Sequence, residues 1–297
     1  MTTASIAVAG TFSRNLRAVW HFCRTQPLGA AGLVVIVVMF IAGVFAEIVA
    51  PYDPLDVDYA AMLTAPSADH WLGTDDFGRD ILSRVIHGSR TALTIGFLAS
   101  FAGSTLGAVI GVASAYFGSR TDMVIQRLMD ILLAFPIIVL ALAVVSVLSK
   151  FMVLGLDLNL VVAIAIPIVP KVARIVRSAA LAIREMPYID AARAAGYSHM
   201  RIIFRHMIPN VVAPFLIMLT AFIAQAILLE ASLSFLGLGV TEPTPAWGLM
   251  LSGSSEQFYR EAPWMIIFPG LAISLAVFAF NLFGDSLRDW LDPRFKV

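Results

Sequence analysis

Six stretches of about twenty residues, rich in Leu, Ile, Val, Ala and Phe, run through this chain at 29–50, 92–117, 131–149, 158–176, 211–235 and 264–284. A helix needs about 20 residues to cross roughly 30 Å of hydrocarbon, where only helices and closed barrels satisfy their own backbone. The stretches predict an all-α integral membrane protein with six transmembrane helices. Composition agrees, since 13% of the 297 residues are charged against about 25% in soluble domains. The first stretch, Gly29 to Ala50, outruns the 7–15 residues of a cleavable signal core and is expected to remain as a membrane helix. The fourth carries Pro167 and Pro170, each lacking a backbone donor. Either a kink held by neighbouring helices or a hinge is expected there.

Basic residues orient the helices. With both termini cytoplasmic, fifteen Lys and Arg lie inside and five outside, as the positive-inside rule requires. The chain then divides into a cytoplasmic N-terminal tail (1–28), a first helix (29–50), an external loop (51–91), a core of five helices (92–284) and a cytoplasmic C-terminal tail (285–297). Within the core, a polar cytoplasmic loop spans about 177–210. The external loop carries Asp53, Asp56, Asp58, Asp69, Asp75, Asp76 and Asp80. Their spacing fits no EF-hand, so solvated surface is expected rather than a metal site. Trp20, Tyr52, Trp71, Tyr116, Trp247, Tyr259, Trp264 and Trp290 border the stretches and suit the lipid interface.

Several chemistries are excluded. The net charge is zero and the basic residues are scattered, which argues against nucleic acid. Cys23 is the only cysteine. None of Lys150, Lys171 and Lys296 follows a glycine, so the chain has no Walker A loop. His21, His70, His87, His199 and His206 all fall outside the six stretches and form no metal-binding pair. No catalytic constellation emerges, and no cofactor is expected in this chain.

Two patterns lie within the spans. Thr220, Gln225, Glu230 and Ser234 recur every four or five residues. They either line a translocation path or drift around the helix and are satisfied by neighbours. An ionisable group in a span is a functional candidate by default, although Glu230 falls near the external mouth. Gly103, Gly107 and Gly111 share one helix face and predict close packing on a second backbone, whose identity the spacing leaves open.

The loop at 177–210 is too long for a simple connector and predicts two short helices. Pro187 suits a first turn, and Asp190 complements the dipole near that end. Asp190, Ala191 and Ala192 begin a small-residue run that Gly196 can terminate in a left-handed conformation. Ser198 can cap a second helix expected to stop near Pro209. Met200, Ile203, Phe204 and Met207 fall on one predicted apolar face. Such a helix serves either to dock a cytosolic partner or to lie on the bilayer.

Asp190-Ala191-Ala192-x-x-x-Gly196, with Ile208-Pro209, resembles the EAA loop of bacterial ABC importer permeases, EAA-x3-G-x9-I-x-L-P. Asp190 replaces its Glu, His206 its Ile and Ile208 its Leu. Leu72-Gly73-Thr74-Asp75 with Gly78-Arg79-Asp80, Glu230 through Gly239, Pro245-Ala246-Trp247-Gly248, and Gly284-Asp285 through Leu291-Asp292-Pro293-Arg294 resemble the "C"-type subunit of dipeptide, oligopeptide and nickel permeases. The resemblance implies a multi-pass subunit of the bacterial cytoplasmic (inner) membrane. Its partners would be a homologous second permease, two ATP-binding subunits carrying ATP and Mg, and an extracytoplasmic solute-binding protein. The EAA-type loop would enter a cleft of the ATPase. Peptide is the expected substrate and nickel or another small solute the alternative. A stand-alone channel or secondary transporter is the competing class, which usually shows two matched halves; no such repeat is evident here.

Overall fold

The computed structural model describes residues 22–153 and 156–291. Most of the expected N-terminal tail, including Trp20, and the end of the C-terminal motif lie outside the described residues. Apart from a two-residue hairpin, Met152–Val153 against Leu156–Asp157, the described chain is helical. The long helices are α1 (Pro27–Val44), α2 (Ile81–Phe117), α3 (Ser119–Leu133), α4 (Ile137–Val147), α5 (Leu158–Arg184), α8 (Ile208–Phe235) and α10 (Trp264–Leu291). Between them stand the short helices α6 (Pro187–Ala194), α7 (His199–Ile202) and α9 (Trp247–Met250). Among the described residues five helices are long and apolar enough to cross a membrane, or six if the bent pair α3–α4 forms one span.

Three expectations about helix limits are corrected. α2 begins at Ile81 rather than near 92, because the Asp80 side chain accepts from the Ser83 amide at 2.8 Å and caps the helix there. The third stretch is not a straight span over 131–149. α3 and α4 meet at 94°, with Pro136 at the start of α4 breaking the hydrogen-bond ladder. At about 1.5 Å per residue, the 11 residues of α4 fall short of a bilayer on their own. Finally, the chain does not stop at Pro209. A π-turn over Ile203–Met207 leads directly into α8, where Pro209 occupies the first turn and its missing donor costs nothing.

α5 runs unbroken through Pro167 and Pro170, both buried among neighbouring helices. The partner of the glycine face is this helix. A Cβ added at Gly103 would lie 2.7 Å from the Ala165 carbonyl oxygen, at Gly107 2.7 Å from that of Val169, and at Gly111 2.5 Å from that of Ala173. Both series advance four residues at a time, so the two backbones touch along matched ridges. α8 also packs on α2, nearer its N-terminal half, where Ser100 Oγ donates to the Leu219 carbonyl at 2.9 Å. Most of the apolar core lies among α2, α4, α5 and α8. A second cluster joins α8 and α10 to the start of α2, and α1 packs outside on α10 and α2.

Trp247 and Tyr116 are corrected as well. Neither lies at the lipid interface, since both are buried in the protein. Trp247 Nε1 donates to the Val85 carbonyl at 2.9 Å, and α9 holds the ring over Gly88 of α2. An indole buried with its N–H satisfied contributes packing without stranding a donor. Tyr52, Trp71 and Tyr259 are exposed.

Candidate functional site

The segment from α6 to the π-turn is fastened to one end of the helix bundle. Pro187 opens α6 and Asp190 lies in its first turn. Gly196 ends it at φ +75° with open space around its α-carbon, the left-handed geometry that glycine adopts without strain. Ser198 caps α7. Tyr116 Oη, at the end of α2, lies 2.7 Å from His199 Nδ1, and Arg193 stands over the Tyr116 ring.

The expected single apolar face is split. Ile203 and Met207 are buried with Ile189, Ala192 and Ile202 in the main core. Met200 and Phe204 remain 59% and 62% exposed. The core receives a narrow arc centred on Ile202, Ile203 and Met207, so the far edge of the predicted stripe turns outward. Met186, Tyr188 and Tyr197 are also exposed. One edge of the segment is therefore locked into the bundle while another presents apolar and aromatic side chains. Asp190 and Ala191 are exposed, and Asp190 Oδ1 accepts from Arg193 at 3.0 Å. Pro209 is exposed at the start of α8.

Thr220, Gln225, Glu230 and Ser234 do not form one stripe. Thr220 Oγ1 bonds back to the Ile217 carbonyl at 2.9 Å, and Gln225 borders a cavity with Val277 and Asn281 of α10. Both are half-buried. Glu230, 1% exposed, faces another direction and accepts from Ser234 Oγ at 2.7 Å. Ser234 Oγ in turn accepts from the Val240 amide at 3.1 Å, tying the following loop to the end of α8. Five-residue steps advance a helix by about 140° beyond a full turn, so such a series cannot stay on one face.

The acidic segment before α2 is only partly surface. Asp75 and Asp80 are buried. Asp75 Oδ2 accepts from Arg79 Nε at 2.6 Å and lies 3.8 Å from Arg84 Nε. Glu242, far along the chain, meets Arg79 at 3.0 Å and Arg84 at 3.6 Å. Burial works against the Arg79 charge, but Asp75 and Glu242 outweigh it and hold its pKa above the ordinary value. The sequence pattern Asp75–Arg79 is an i,i+4 pair; Arg84 and Glu242 gave no signal because their partners are distant in sequence.

These features place a helical bundle with a rigidly held, partly apolar loop at one end and a charge-clamped segment at the other. Residues 103–297 match the family described as binding-protein-dependent transport system inner membrane component. The chain belongs to this family. Residues 15–66 match the N-terminal TM domain of oligopeptide transport permease C. Over 273 residues the permease is 43% identical to the dipeptide transport system permease protein DppC of Alkalihalophilus pseudofirmus, covering 92% of this chain and 88% of that protein. It is 41% identical over 289 residues to the glutathione transport system permease protein GsiD of Pectobacterium atrosepticum, covering 95% and 94%. Its fold is similar to a chain of the MetNI methionine ABC transporter, solved in inward-facing conformations. The TM-score is 0.55 and the identity 17%, over 71% of this permease and 98% of that chain. The permease is thus a multi-pass membrane component of an ABC importer.

Proposed function

We propose that this permease carries di- or oligopeptides inward as one of two membrane subunits, with ATP and Mg bound in two partner ATPases and substrate delivered by an extracytoplasmic binding protein. Both termini and the loop at 187–207 face the cytosol in this reading, and the loop docks the ATPase. Its anchoring carries the proposal. Ile189, Ala192, Ile202, Ile203 and Met207 are held in the core, while Met186, Tyr188, Tyr197, Met200 and Phe204 stand exposed beside Asp190. A loop that transmits force must be stiff on the side it pushes and adhesive on the side that is pushed. A bilayer-surface helix needs only the adhesive side. Peptide as substrate is supported by the dipeptide and glutathione permeases among the relatives.

The test is gentle detergent purification of the chain from its own membranes, with copurifying proteins identified by mass spectrometry. An Asp190→Lys/Gly196→Leu double variant is processed alongside. A second permease and ATPases should copurify with the parent chain, and the ATPases should be lost from the variant while the second permease stays. A chain that purifies alone and moves solute without ATP would replace this reading with a stand-alone transporter.

A further inference from the structure

A cavity of about 540 Å³ opens between α2, the hairpin at 152–157 and the loop after α8, at the bundle end opposite the 187–207 loop. It is lined by Arg90, Thr91, Thr94, Lys150, Asp157, Thr241 and Thr244 among others. Its volume falls in the range of about 300–1,000 Å³ that small-molecule sites occupy. In a chain with three lysines, one points into this space.

Hairpin geometry explains how opposite charges come to share it. Met152 pairs with Asp157 across the hairpin, so their side chains project to the same face, and Lys150, exposed just before the first strand, lines the same cavity. Lys150 and Asp157 form no ion pair with each other, and Lys150 has no partner among the described residues. One Asp157 oxygen accepts from the Asn159 amide at 3.3 Å and caps α5; its second oxygen has no hydrogen-bond partner among the described residues. Arg90 is fixed by Glu47 at 3.1 Å and by the Gly43 carbonyl at 2.8 Å, and borders the same space. Thr91 Oγ1 donates to the Pro245 carbonyl at 2.9 Å. The hydroxyls of Thr94, Thr241 and Thr244 make no side-chain hydrogen bond among the described residues.

We infer that this cavity is a peptide subsite within the permease, in which Lys150 receives the carboxylate end and Asp157 the ammonium end of a short zwitterionic peptide. This rests on the peptide-importer reading above. Two opposite charges left unpaired in one cavity suit a ligand that carries both charges itself. Two extended residues span about 7 Å, so a dipeptide fits within the cavity of about 540 Å³. The three free threonine hydroxyls donate to or accept from the intervening amide whatever the side chains are. A subsite of this kind recognises the peptide backbone and tolerates varied residues.

The experiment uses the assembled importer in proteoliposomes, stalled with vanadate during turnover, with its binding protein loaded with a dipeptide bearing a diazirine side chain. Photolysis followed by peptide mapping locates the adducts. They are expected within 150–157 and 241–244, and the yield is expected to fall at least fivefold in Lys150→Gln and in Asp157→Asn. Asn can still cap α5, and Lys150→Arg should restore most of the yield, which separates charge from folding. ATPase copurification checks assembly of each variant. Adducts confined to other segments, or yields unchanged in both variants while peptide-loaded binding protein still stimulates ATPase, would overturn the subsite and leave the importer reading standing. An assembly whose ATPase and uptake ignore peptide-loaded binding protein would overturn both.

Discussion

Replacing Gly107 with alanine adds one methyl group at the seam between α2 and α5. That methyl would lie 2.7 Å from the Val169 carbonyl oxygen and 2.8 Å from Val172 Cβ, against ordinary contacts of at least 3.4 Å. Neither neighbour is the end of a flexible side chain, so the helices must part by about 0.7 Å. A gap of 0.5–1 Å forfeits a quarter to a half of each van der Waals well of about 0.1–0.2 kcal/mol. For about twenty atom pairs along the seam the loss is about 1 kcal/mol, at the low end of the roughly 1–3 kcal/mol typical of overpacked cores. Gly270→Ala provides the control, because its added Cβ meets nothing within 4 Å and helix propensity alone favours alanine by about 0.5–1 kcal/mol. Thermal unfolding of the purified permease in one detergent should place Gly107→Ala below the parent and Gly270→Ala at or above it. Equal melting temperatures for the two variants would refute the backbone contact as the source of the seam's stability.

Three further outcomes follow from the geometry. At Gly196 the φ of +75° should admit Asn with near-normal transport, while Val or Leu strains the turn by about 1–2 kcal/mol and uncouples ATP hydrolysis from uptake; coupled uptake in Gly196→Leu would contradict this. Asp75→Ala leaves buried Arg79 and Arg84 with Glu242 as the one carboxylate in contact, and should cost about 3–5 kcal/mol of stability, read as a large loss of folded protein on mild heating. Ser234→Ala strands the Val240 amide and one Glu230 oxygen, which should lower stability by about 2–4 kcal/mol; a melting temperature equal to the parent's would show that water replaces the hydroxyl.

Much of the bundle was legible because hydrophobic runs and capping residues are local signals. Gly103, Gly107 and Gly111 announced a close contact, yet its partner lies more than fifty residues away and was set by packing. The same limit hid Arg84 and Glu242. The break at Pro136 was obscured because the apolar run continues across it, and hydropathy carries no record of direction. In the 187–207 loop, composition located the helices and the turn at Gly196. Which apolar residues turn inward was decided by the groove they enter, so Ile203 and Met207 parted from Met200 and Phe204. Lys150 and Asp157 give no joint signal in the sequence, because the cavity that both line forms only when the hairpin packs beside α2 and the loop after α8.

The seam between α2 and α5 also has a mechanical side. α2 has 37 residues and is about 55 Å long; its C-terminal end meets the loop through Tyr116 and His199, and its N-terminal half borders the cavity through Thr91 and Thr94. Side chains normally act as springs between helices, absorbing small displacements by changing rotamer. Along Gly103, Gly107 and Gly111 α2 contributes none, and the contacts fall on α5 backbone and on the β-branched Ile168 and Val172, which have little rotamer freedom in a helix, so the seam is stiff. A displacement imposed at His199 would be carried along this seam rather than taken up between the two helices.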